Sequence, residues 1–348
     1  MGSQCSTGKV LLIYTGGTIG MGKNHRTGAL EPLDFNHLVR NMPEFEHVGA
    51  QVDAVQFQKP IDSSDVTPGT WADIVGTISS NYREYDGFVV LHGTDTMAYT
   101  AAALSFMLEN TAKPVILTGS QLPIGQLRTD GKGNLLTSIE LAAKRNPDGA
   151  ATVPEVCIFF GGKLLRGNRA TKRSADGFDA FASFNFPHLC EAGVDFAFNH
   201  GAILRPDPAK PFTAHTRMDT NTAVLSLFPG VRADIVGHVL DTPNLKSIVL
   251  RTYGSGNAPH GGGISDILCK AAERGVVVVN ISQCISGSVE MARYDTGLQL
   301  QGMGVVSGMD STVEAAVAKL MFLQGLGLSP GEIREAMGKP ICGEITAT

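Results

Sequence analysis

A chain of 348 residues is longer than one hydrophobic core usually holds, so its length predicts two domains. Hydrophobic residues make up 43% and charged residues 18%, which is typical of a globular protein with a sizeable core. The formal net charge is -5 and the basic residues are scattered, so no basic face is available to bind nucleic acid. No apolar run approaches the roughly 20 residues of a membrane span and the N-terminus lacks a secretory pattern, which predicts a cytoplasmic protein without a membrane partner.

The cysteines and histidines offer no pattern typical of a metal site. The chain has six cysteines, which lie far apart and form no C-x-x-C pair, and its histidines are not spaced by four residues. We therefore expect no metal, no disulfide framework and mostly buried thiols.

Short apolar runs alternate with longer helical patterns in the first half of the chain. The predicted strands are residues 10–13, 52–57, 87–91, 114–118 and 156–160. Helical patterns at 97–109 and 134–143 supply crossovers of suitable length. This alternation predicts a larger, doubly wound α/β domain over residues 1–198, with a parallel sheet covered on both faces.

The character of the chain changes at residues 199–221, where three prolines lie among polar residues without a sustained apolar period. We interpret this segment as a linker. The alternation then resumes, with predicted strands at 223–228, 247–251 and 275–281 and predicted helices at 266–274, 311–323 and 331–337. Residues 222–348 are therefore expected to form a smaller C-terminal α/β domain.

The first polar motif follows the first strand and reads Tyr-Thr-Gly-Gly-Thr-Ile-Gly over residues 14–20. Ligands of open parallel sheets bind at the carboxyl ends of the strands, where this motif lies. The β-branched Thr18 has few rotamers, which suits a nucleophilic hydroxyl, and the glycines free backbone N–H groups to bind an oxyanion. The alternative is that the glycines form a tight turn and Thr18 caps a helix.

The second motif, His-Gly-Thr-Asp-Thr over residues 92–96, places the Thr94 hydroxyl and the Asp95 carboxylate at one strand end. Such a pair can bind a substrate amine and activate a hydroxyl. Capping of the following helix is the alternative, because threonine and aspartate are both favoured in a first turn. His92 is expected to be a hydrogen-bonded residue at the strand end and not a catalytic base.

A third segment, residues 166–172, follows the strand at 156–160 and could bring Lys172 to Thr94. A partly desolvated ammonium there would lower the cost of removing the threonine proton. A solvated surface lysine is the alternative.

Eight stretches carry a combined pattern that extends over nearly the whole chain. They are residues 14–21, 62–65, 92–99, 117–121, 166–172, 176–181, 253–259 and 283–287. Together they resemble the type I, cytosolic, bacterial-type L-asparaginases. No single motif is decisive, but so many in the same order are very hard to obtain by chance.

The resemblance implies hydrolysis of L-asparagine to L-aspartate and ammonia, without a cofactor, in a homodimer or homotetramer whose active sites lie near a subunit interface. Thr18 resembles the primary nucleophile of that family. Thr94, Asp95 and Lys172 resemble its second catalytic group, in which the lysine polarises the threonine and the aspartate also holds the substrate's α-amino group.

The resemblance also implies a set of substrate-binding positions. Ser63 and Ser64 resemble the residues that grip the α-carboxylate, and Ser120 matches a position near the side-chain amide. Asn257, from the second domain, resembles a residue that reaches into a neighbouring subunit's site.

In one place the chain departs from many bacterial relatives, which carry a tyrosine in the loop after the first threonine. Residues 23–30 contain none, and Ala29 stands about where it would fall. Tyr294 matches a tyrosine of the second domain in cytosolic relatives, and we expect it to assist Thr18. Thr171 and Cys284 match positions near an allosteric asparagine site, which predicts positive cooperativity; an inert buried thiol is the alternative for Cys284.

Other functions stay open at this point. A related amidohydrolase role would be glutaminase activity or the amidase component of a glutamyl-tRNA amidotransferase, although the missing basic face argues against the second. One methylene separates asparagine from glutamine, and this is worth only roughly 1–3 kcal/mol in a pocket. A dinucleotide-binding protein is the alternative from another class, but residues 16–22 do not give the G-x-G-x-x-G spacing.

Overall fold

The computed structural model describes residues 8–23, 30–32, 42–259, 261, 263–293 and 295–346. The chain divides into two compact units, Met1–Thr216 and Arg217–Thr348. Each unit has its own parallel-rich sheet, so the predicted two-domain α/β class is confirmed. The division falls inside the segment interpreted as a linker.

The N-terminal unit contains fourteen described strands and three described α-helices. Its strands are β1 Lys9–Gly16, β2 Met21–Lys23, β3 Leu30–Pro32, β4 Gln51–Ile61, β5 Gly87–Leu91, β6 Leu108–Glu109, β7 Val115–Thr118, β8 Val156–Phe160, β9 Lys163–Arg166, β10 Thr171–Lys172, β11 Phe181–Ala182, β12 Cys190–Ala192, β13 Phe196–Phe198 and β14 Thr213–Ala214. Its helices are α1 Pro68–Asn81, α2 Met97–Met107 and α3 Gly131–Ala143.

Five neighbouring strands form the parallel part of the main sheet, in the order β4-β1-β5-β7-β8. Every residue of β5 and of β8 is buried, which explains their uninterrupted apolar sequences. Because the strands are parallel, the segments that follow β1, β5 and β7 all leave the same edge of the sheet. The Thr18 motif, the Thr94 motif and the segment with Ser120 therefore share that edge.

The expectation of a wholly parallel sheet is wrong beyond β8. The sheet continues as β8-β9-β12-β13, and these pairs are antiparallel. Gly161 and Gly162 have φ angles of 56° and 81°, which lets the chain reverse within two residues so that Lys163 pairs with Phe160. This hairpin determines the path that leads to Lys172.

The helix predicted for residues 97–109 ends at Met107. Leu108 and Glu109 instead form β6, which pairs with β14 in the segment interpreted as a linker. The predicted helix is therefore two residues too long, because Leu108 and Glu109 form a long-range strand pairing instead of the last part of the helix.

The C-terminal unit contains four described strands and five described α-helices. Its strands are β15 Thr222–Ser226, β16 Ser247–Thr252, β17 Val277–Ser282 and β18 Val306–Ser307, and they form one parallel sheet in this order. Its helices are α4 Ala233–Leu240, α5 Ile264–Glu273, α6 Asp295–Gly302, α7 Val313–Gly325 and α8 Pro330–Met337.

Local capping explains where the last two helices begin. The Thr312 side chain accepts a hydrogen bond from the Ala315 amide at the start of α7. Ser329 and Glu332 form a reciprocal capping box at the start of α8, with Pro330 in its first turn. The Ser-Pro-Gly-Glu sequence thus encodes the beginning of α8.

A buried ion pair attaches the end of the chain to α7. Lys319 Nζ lies 2.6 Å from Glu344 Oε1, and the two side chains are 1% and 0% exposed. The Glu344 carboxylate also accepts the backbone N–H groups of Ile341 and Cys342. This pair fixes the segment that follows α8.

None of the described helices is both long enough and apolar enough to cross a membrane.

Candidate active site

Thr94 and Asp95 lie between the end of β5 and the start of α2. The residue that precedes α2 is Thr96, whose hydroxyl donates to the carbonyl of Ser63 at 2.6 Å and makes no capping bond. Thr94 is 7% exposed, whereas the Asp95 side chain is 66% exposed. Helix capping therefore does not account for the Thr-Asp pair.

Lys172 reaches Thr94 by an indirect route. β9 runs antiparallel to β8, and Gly167 at its end lies so close to Ala101 of α2 that an added Cβ would stand 3.1 Å from the Ala101 Cβ. The chain then reaches Lys172, whose Nζ donates to Thr94 Oγ1 at 2.9 Å and to Asp95 Oδ1 at 2.6 Å. The lysine side chain is only 17% exposed, so the alternative of a solvated surface lysine is wrong.

Gln121 completes the surroundings of the Thr94 hydroxyl. An ammonium can only donate, so the hydroxyl accepts from Lys172 and directs its own proton to Gln121 Oε1, 3.3 Å away. Gln121 Nε2 donates to the carbonyls of Ala175 and Gly177, both at 3.1 Å. These two bonds orient the amide so that its oxygen faces Thr94.

Sequence reasoning missed this role of Gln121. The residue stands beside Ser120 in one of the motifs that carry the family resemblance. Its orientation depends on two carbonyls that lie 54 and 56 positions further along the chain. A glutamine beside a predicted site serine was the only local signal.

Two glycines bring the segments that carry Thr18, Thr94 and Ser63 into contact. Gly17 has φ of 92°, and a Cβ on it would lie 2.5 Å from the Gly93 nitrogen. A Cβ on Gly93 would lie 2.5 Å from Ser63 Oγ and 2.7 Å from Ser63 Cβ. Only residues without side chains allow the three segments to pack this closely.

Thr18 begins a single 3₁₀ turn, Thr18–Gly20, and is half-buried. The turn is closed by a hydrogen bond from the Gly20 amide to the Gly17 carbonyl. The tight glycine turn considered in the sequence analysis is present, but no α-helix follows Thr18 within the described residues 18–23.

Ser63 and Ser64 occupy one 3₁₀ turn, Ser63–Asp65, capped by Asp62. Asp62 Oδ1 accepts both the backbone N–H and the hydroxyl of Ser64, each at 2.9 Å. Ser63 is buried against Gly93, and Ser64 is exposed. The two serines therefore differ in their accessibility to a ligand.

Ser120 is 1% exposed, and its hydroxyl donates to the Leu122 carbonyl at 2.6 Å. The carboxylate of Asp130 accepts the backbone N–H groups of Gln121 and Leu122 at 3.0–3.1 Å. This carboxylate fixes the loop after β7 in which Ser120 and Gln121 lie.

His92 lies beneath the site and is held in one neutral form. The Gly93 carbonyl can only accept, so His92 Nδ1 carries the proton and donates to it at 2.7 Å. In the neutral ring, His92 Nε2 then accepts from Thr100 Oγ1 at 3.0 Å, and the same Thr100 oxygen accepts from Trp71 Nε1 at 3.0 Å. Burial lowers the pKa of His92, and these bonds fit the expected role of a hydrogen-bonded residue at the strand end.

The remaining predicted residues lie around β10 and in the C-terminal unit. Thr171 is half-buried and pairs with Ala182 between β10 and β11. Asn257 closes a turn in which its backbone exchanges two 2.9 Å hydrogen bonds with Tyr253. Cys284 is exposed, so the alternative that it is a buried thiol is wrong. Tyr294 and Ala29 lie outside the described residues.

Within the described ranges, the structure brings no three His, Cys, Asp or Glu side chains together in a group that could hold a metal ion. At this edge of the sheet, the buried hydroxyl of Thr94 lies between the ammonium of Lys172 and the amide oxygen of Gln121, beside the accessible carboxylate of Asp95. Together with a second threonine in a glycine turn, these groups are typical of a hydrolase site.

Comparison with known proteins identifies the family. The family model described as "Asparaginase, N-terminal" matches residues 9–203, and "Glutaminase/Asparaginase C-terminal domain" matches residues 221–337. The chain belongs to the asparaginase family of enzymes. The resemblance to type I L-asparaginases stated from the sequence is confirmed.

Individual relatives agree with this assignment. The chain is 45% identical to L-asparaginase 1 of Escherichia coli strain K12, over 97% of this chain and 98% of that protein. The crystal structure of L-asparaginase I from Vibrio cholerae matches with a TM-score of 0.89 and 40% identity, covering 98% of this chain and 100% of that one. The thermostable L-asparaginase from Thermococcus kodakarensis matches with a TM-score of 0.85 and 31% identity, covering 98% of this chain and 100% of that one.

Proposed function

We propose that this enzyme hydrolyses L-asparagine to L-aspartate and ammonia, with Thr18 as the primary nucleophile and Thr94, Asp95 and Lys172 as the second catalytic group. The observation that carries the proposal is the Thr94 hydroxyl, which accepts from Lys172 at 2.9 Å and donates to Gln121. Membership of the asparaginase family supports the choice of substrate.

In this proposal, Lys172 lowers the cost of removing the Thr94 proton, because its ammonium stabilises the negative charge that develops on the oxygen. The exposed face of the Asp95 carboxylate holds the α-ammonium group of the substrate. Asp95 thereby serves two cations, the substrate's and that of Lys172.

Thr18 lies one residue after Gly17, which contacts the backbone next to Thr94. Its hydroxyl attacks the side-chain amide carbon in one route, releases ammonia and leaves an acyl-Thr18 that water hydrolyses. The alternative to Thr18 as nucleophile is direct attack of water on the amide, which forms no acyl-Thr18. A poor substrate added to the Thr94→Val variant distinguishes them, since only the first route leaves a covalent mass shift on Thr18.

The other site residues receive supporting roles. Ser63 and Ser64 bind the α-carboxylate, together with the N–H groups of their turn, and Ser120 contributes near the side-chain amide. Asn257 acts in a neighbouring subunit's site and Tyr294 assists Thr18, in a cytoplasmic homodimer or homotetramer. Full turnover by Tyr294→Phe would exclude that role, and light scattering after size-exclusion chromatography measures the assembly.

The decisive experiment is ammonia release from L-asparagine by the wild type and by Thr18→Val and Thr94→Val. Thr77→Val is the matched control, because Thr77 lies on α1 and its hydroxyl bonds only locally to the Asp73 carbonyl. We expect both site variants to lose activity by about 10²-fold or more while the control retains it. An inactive, folded wild type, or an active Thr18→Val, would refute the proposal.

L-Glutamine serves as the second substrate in the same assay. The C-terminal family model covers glutaminases as well as asparaginases. The ratio of kcat/KM for the two amides measures the selectivity that one methylene allows.

We also propose positive cooperativity, with an allosteric asparagine bound near Thr171 and Cys284. Thr171 adjoins Lys172 in β10, so a ligand that displaces this strand would move the ammonium from Thr94. A sigmoidal saturation curve that becomes hyperbolic in Thr171→Ala supports the proposal. A hyperbolic wild-type curve over the whole asparagine range contradicts it.

A further inference from the structure

Three basic side chains border one cavity at the amino ends of the parallel strands, on the edge of the sheet opposite Thr94. The cavity has a volume of about 240 Å³, and its wall includes Lys113, Arg145, Arg205 and Asp86. Asp86 directly precedes β5, and Lys113 lies two residues before β7. Since β5 is five residues long, about 16 Å of strand separates this cavity from the candidate active site.

Backbone carbonyls hold the three basic side chains in place. Lys113 Nζ donates to the carbonyls of Tyr82 and Tyr85. The Arg145 guanidinium donates to the carbonyls of Ala142, Lys144 and Asp86. Arg205 Nη1 donates to the carbonyl of Ala151. These acceptors are neutral, so they orient the cations without cancelling their charge. A guanidinium has five N–H donors, and these bonds leave several available.

The wall of the cavity is poor in negative charge. Among the described lining residues, Asp86 supplies the only carboxylate: Oδ1 lies 3.8 Å from Arg145 Nη2, and Oδ2 accepts the Lys9 backbone N–H at 2.8 Å. Three positive groups and one negative group leave a net charge of +2. Burial lowers the pKa of Lys113; the charge of Asp86 opposes this shift, and the smaller effect of the nearby Arg145 charge adds to it. Burial also lowers the pKa of Arg145. An anion in the cavity would relieve both effects.

The far wall is a closed turn rather than a loose loop. Arg145 and Ala151 form an antiparallel bridge, and the Asn146 amide donates to the Ala150 carbonyl at 2.8 Å. The Gly149 amide donates back to the Asn146 carbonyl at 2.9 Å. The cavity is smaller than the roughly 300 Å³ at which sites for drug-sized ligands begin, so it suits a small ion.

We propose that this cavity is a binding site for a small, doubly charged oxyanion of the phosphate type. Its charge complements the net charge of the wall, and the planar guanidinium groups of Arg145 and Arg205 match the oxygen geometry of phosphate. The site is separate from the candidate active site and does not depend on the reaction proposed there.

Calorimetric titration of the full chain with inorganic phosphate tests the site, with sodium chloride at equal ionic strength as the reference. The wild type is expected to bind phosphate saturably, and Arg205→Gln and Arg145→Gln to bind it at least about tenfold more weakly. Arg232→Gln is the matched control, because this arginine is exposed and pairs with Asp234 in the other unit. Wild-type heats equal to those of chloride, or unchanged affinity in both cavity variants, would overturn the proposal.

A second variant locates the phosphate. Lys172→Met removes the cation of the candidate active site, at the other edge of the sheet, and is expected to bind phosphate like the wild type. Binding that disappears in Lys172→Met and persists in Arg205→Gln would place the anion at the active site and contradict the inference. Because the readout is binding, it is independent of whether the chain hydrolyses asparagine.

Discussion

Replacing Lys172 by methionine, alone and together with Thr94→Val, tests whether the two side chains act as one catalytic unit. Lys172 Nζ lies 2.9 Å from Thr94 Oγ1, and the lysine side chain is 17% exposed, so methionine keeps most of the packing and removes the charge. A positioned proton-transfer group contributes about 10²–10⁴-fold to the rate. At 1.36 kcal/mol for each factor of ten, this is about 2.7–5.4 kcal/mol.

We expect each single variant to lose kcat by about 10²–10⁴-fold. If Lys172 acts through Thr94, kcat of the double variant should be no more than about tenfold below that of the less active single variant. The reason is that the effects of substituting groups that act as a unit do not add. The assay is ammonia release at saturating L-asparagine, with circular dichroism to verify folding. A double variant whose loss equals the product of the two single losses would refute the coupling.

Lys246→Met is the matched control for the removal of a lysine. Lys246 pairs with Asp219 at 2.7 Å in the C-terminal unit, so the control breaks a Lys–Asp ion pair of similar length. It is expected to leave kcat unchanged.

Three further predictions concern the surroundings of the site and the stability of the fold. Gly93→Ala would place a Cβ 2.5 Å from Ser63 Oγ, and the resulting displacement of the serine should lower kcat/KM for L-asparagine by about 10²-fold; wild-type kinetics would contradict the packing described. Burial lowers the pKa of His92, so below about pH 6.5 the unfolded chain binds a proton that the folded chain does not. Urea unfolding should therefore show that the free energy of unfolding decreases as the pH is lowered below about 6.5, by up to about 1.4 kcal/mol per pH unit from this group, with a smaller slope in His92→Gln; equal slopes would disprove this role of His92. Lys319→Met leaves the buried Glu344 carboxylate without its cationic partner and should reduce the free energy of unfolding by about 3–5 kcal/mol, whereas a change below about 1 kcal/mol would contradict a stabilising ion pair.

Strands β5, β7 and β8 could be predicted because they are continuous apolar runs, and burial of all their residues leaves that pattern in the sequence. β4 differs, because its sequence is mixed and none of its residues is buried. The predicted run 87–91 coincides with β5, and 156–160 coincides with β8. The antiparallel extension could not be predicted, because β9, β12 and β13 have only three or four residues, too few to show a period. The end of α2 was missed for a related reason, since a partner strand more than 100 positions away takes Leu108 and Glu109.

The candidate site was predicted unevenly. Thr94 and Asp95 follow a clear strand, so their position at its carboxyl end could be derived. The approach of Lys172 was expected, but the hairpin through which the chain reaches Thr94 depends on two glycines with positive φ. Gln121 was missed because its orientation comes from distant backbone carbonyls, which leave no local pattern.

The close packing at Gly17 and Gly93 affects how mutational scans of this enzyme should be interpreted. Neither glycine has a side chain that could take part in a reaction, yet any larger residue at either position displaces the backbone or the serine next to the proposed catalytic groups. A saturation scan by activity would therefore rank these positions as intolerant as Thr94 itself. Loss of activity identifies the positions that the site needs, but it does not distinguish a chemical requirement from a steric one. A substitution at Thr94 removes a hydroxyl group, whereas a substitution at either glycine adds atoms where there is no space. At these two glycines, tolerance to substitution measures available space rather than reactivity.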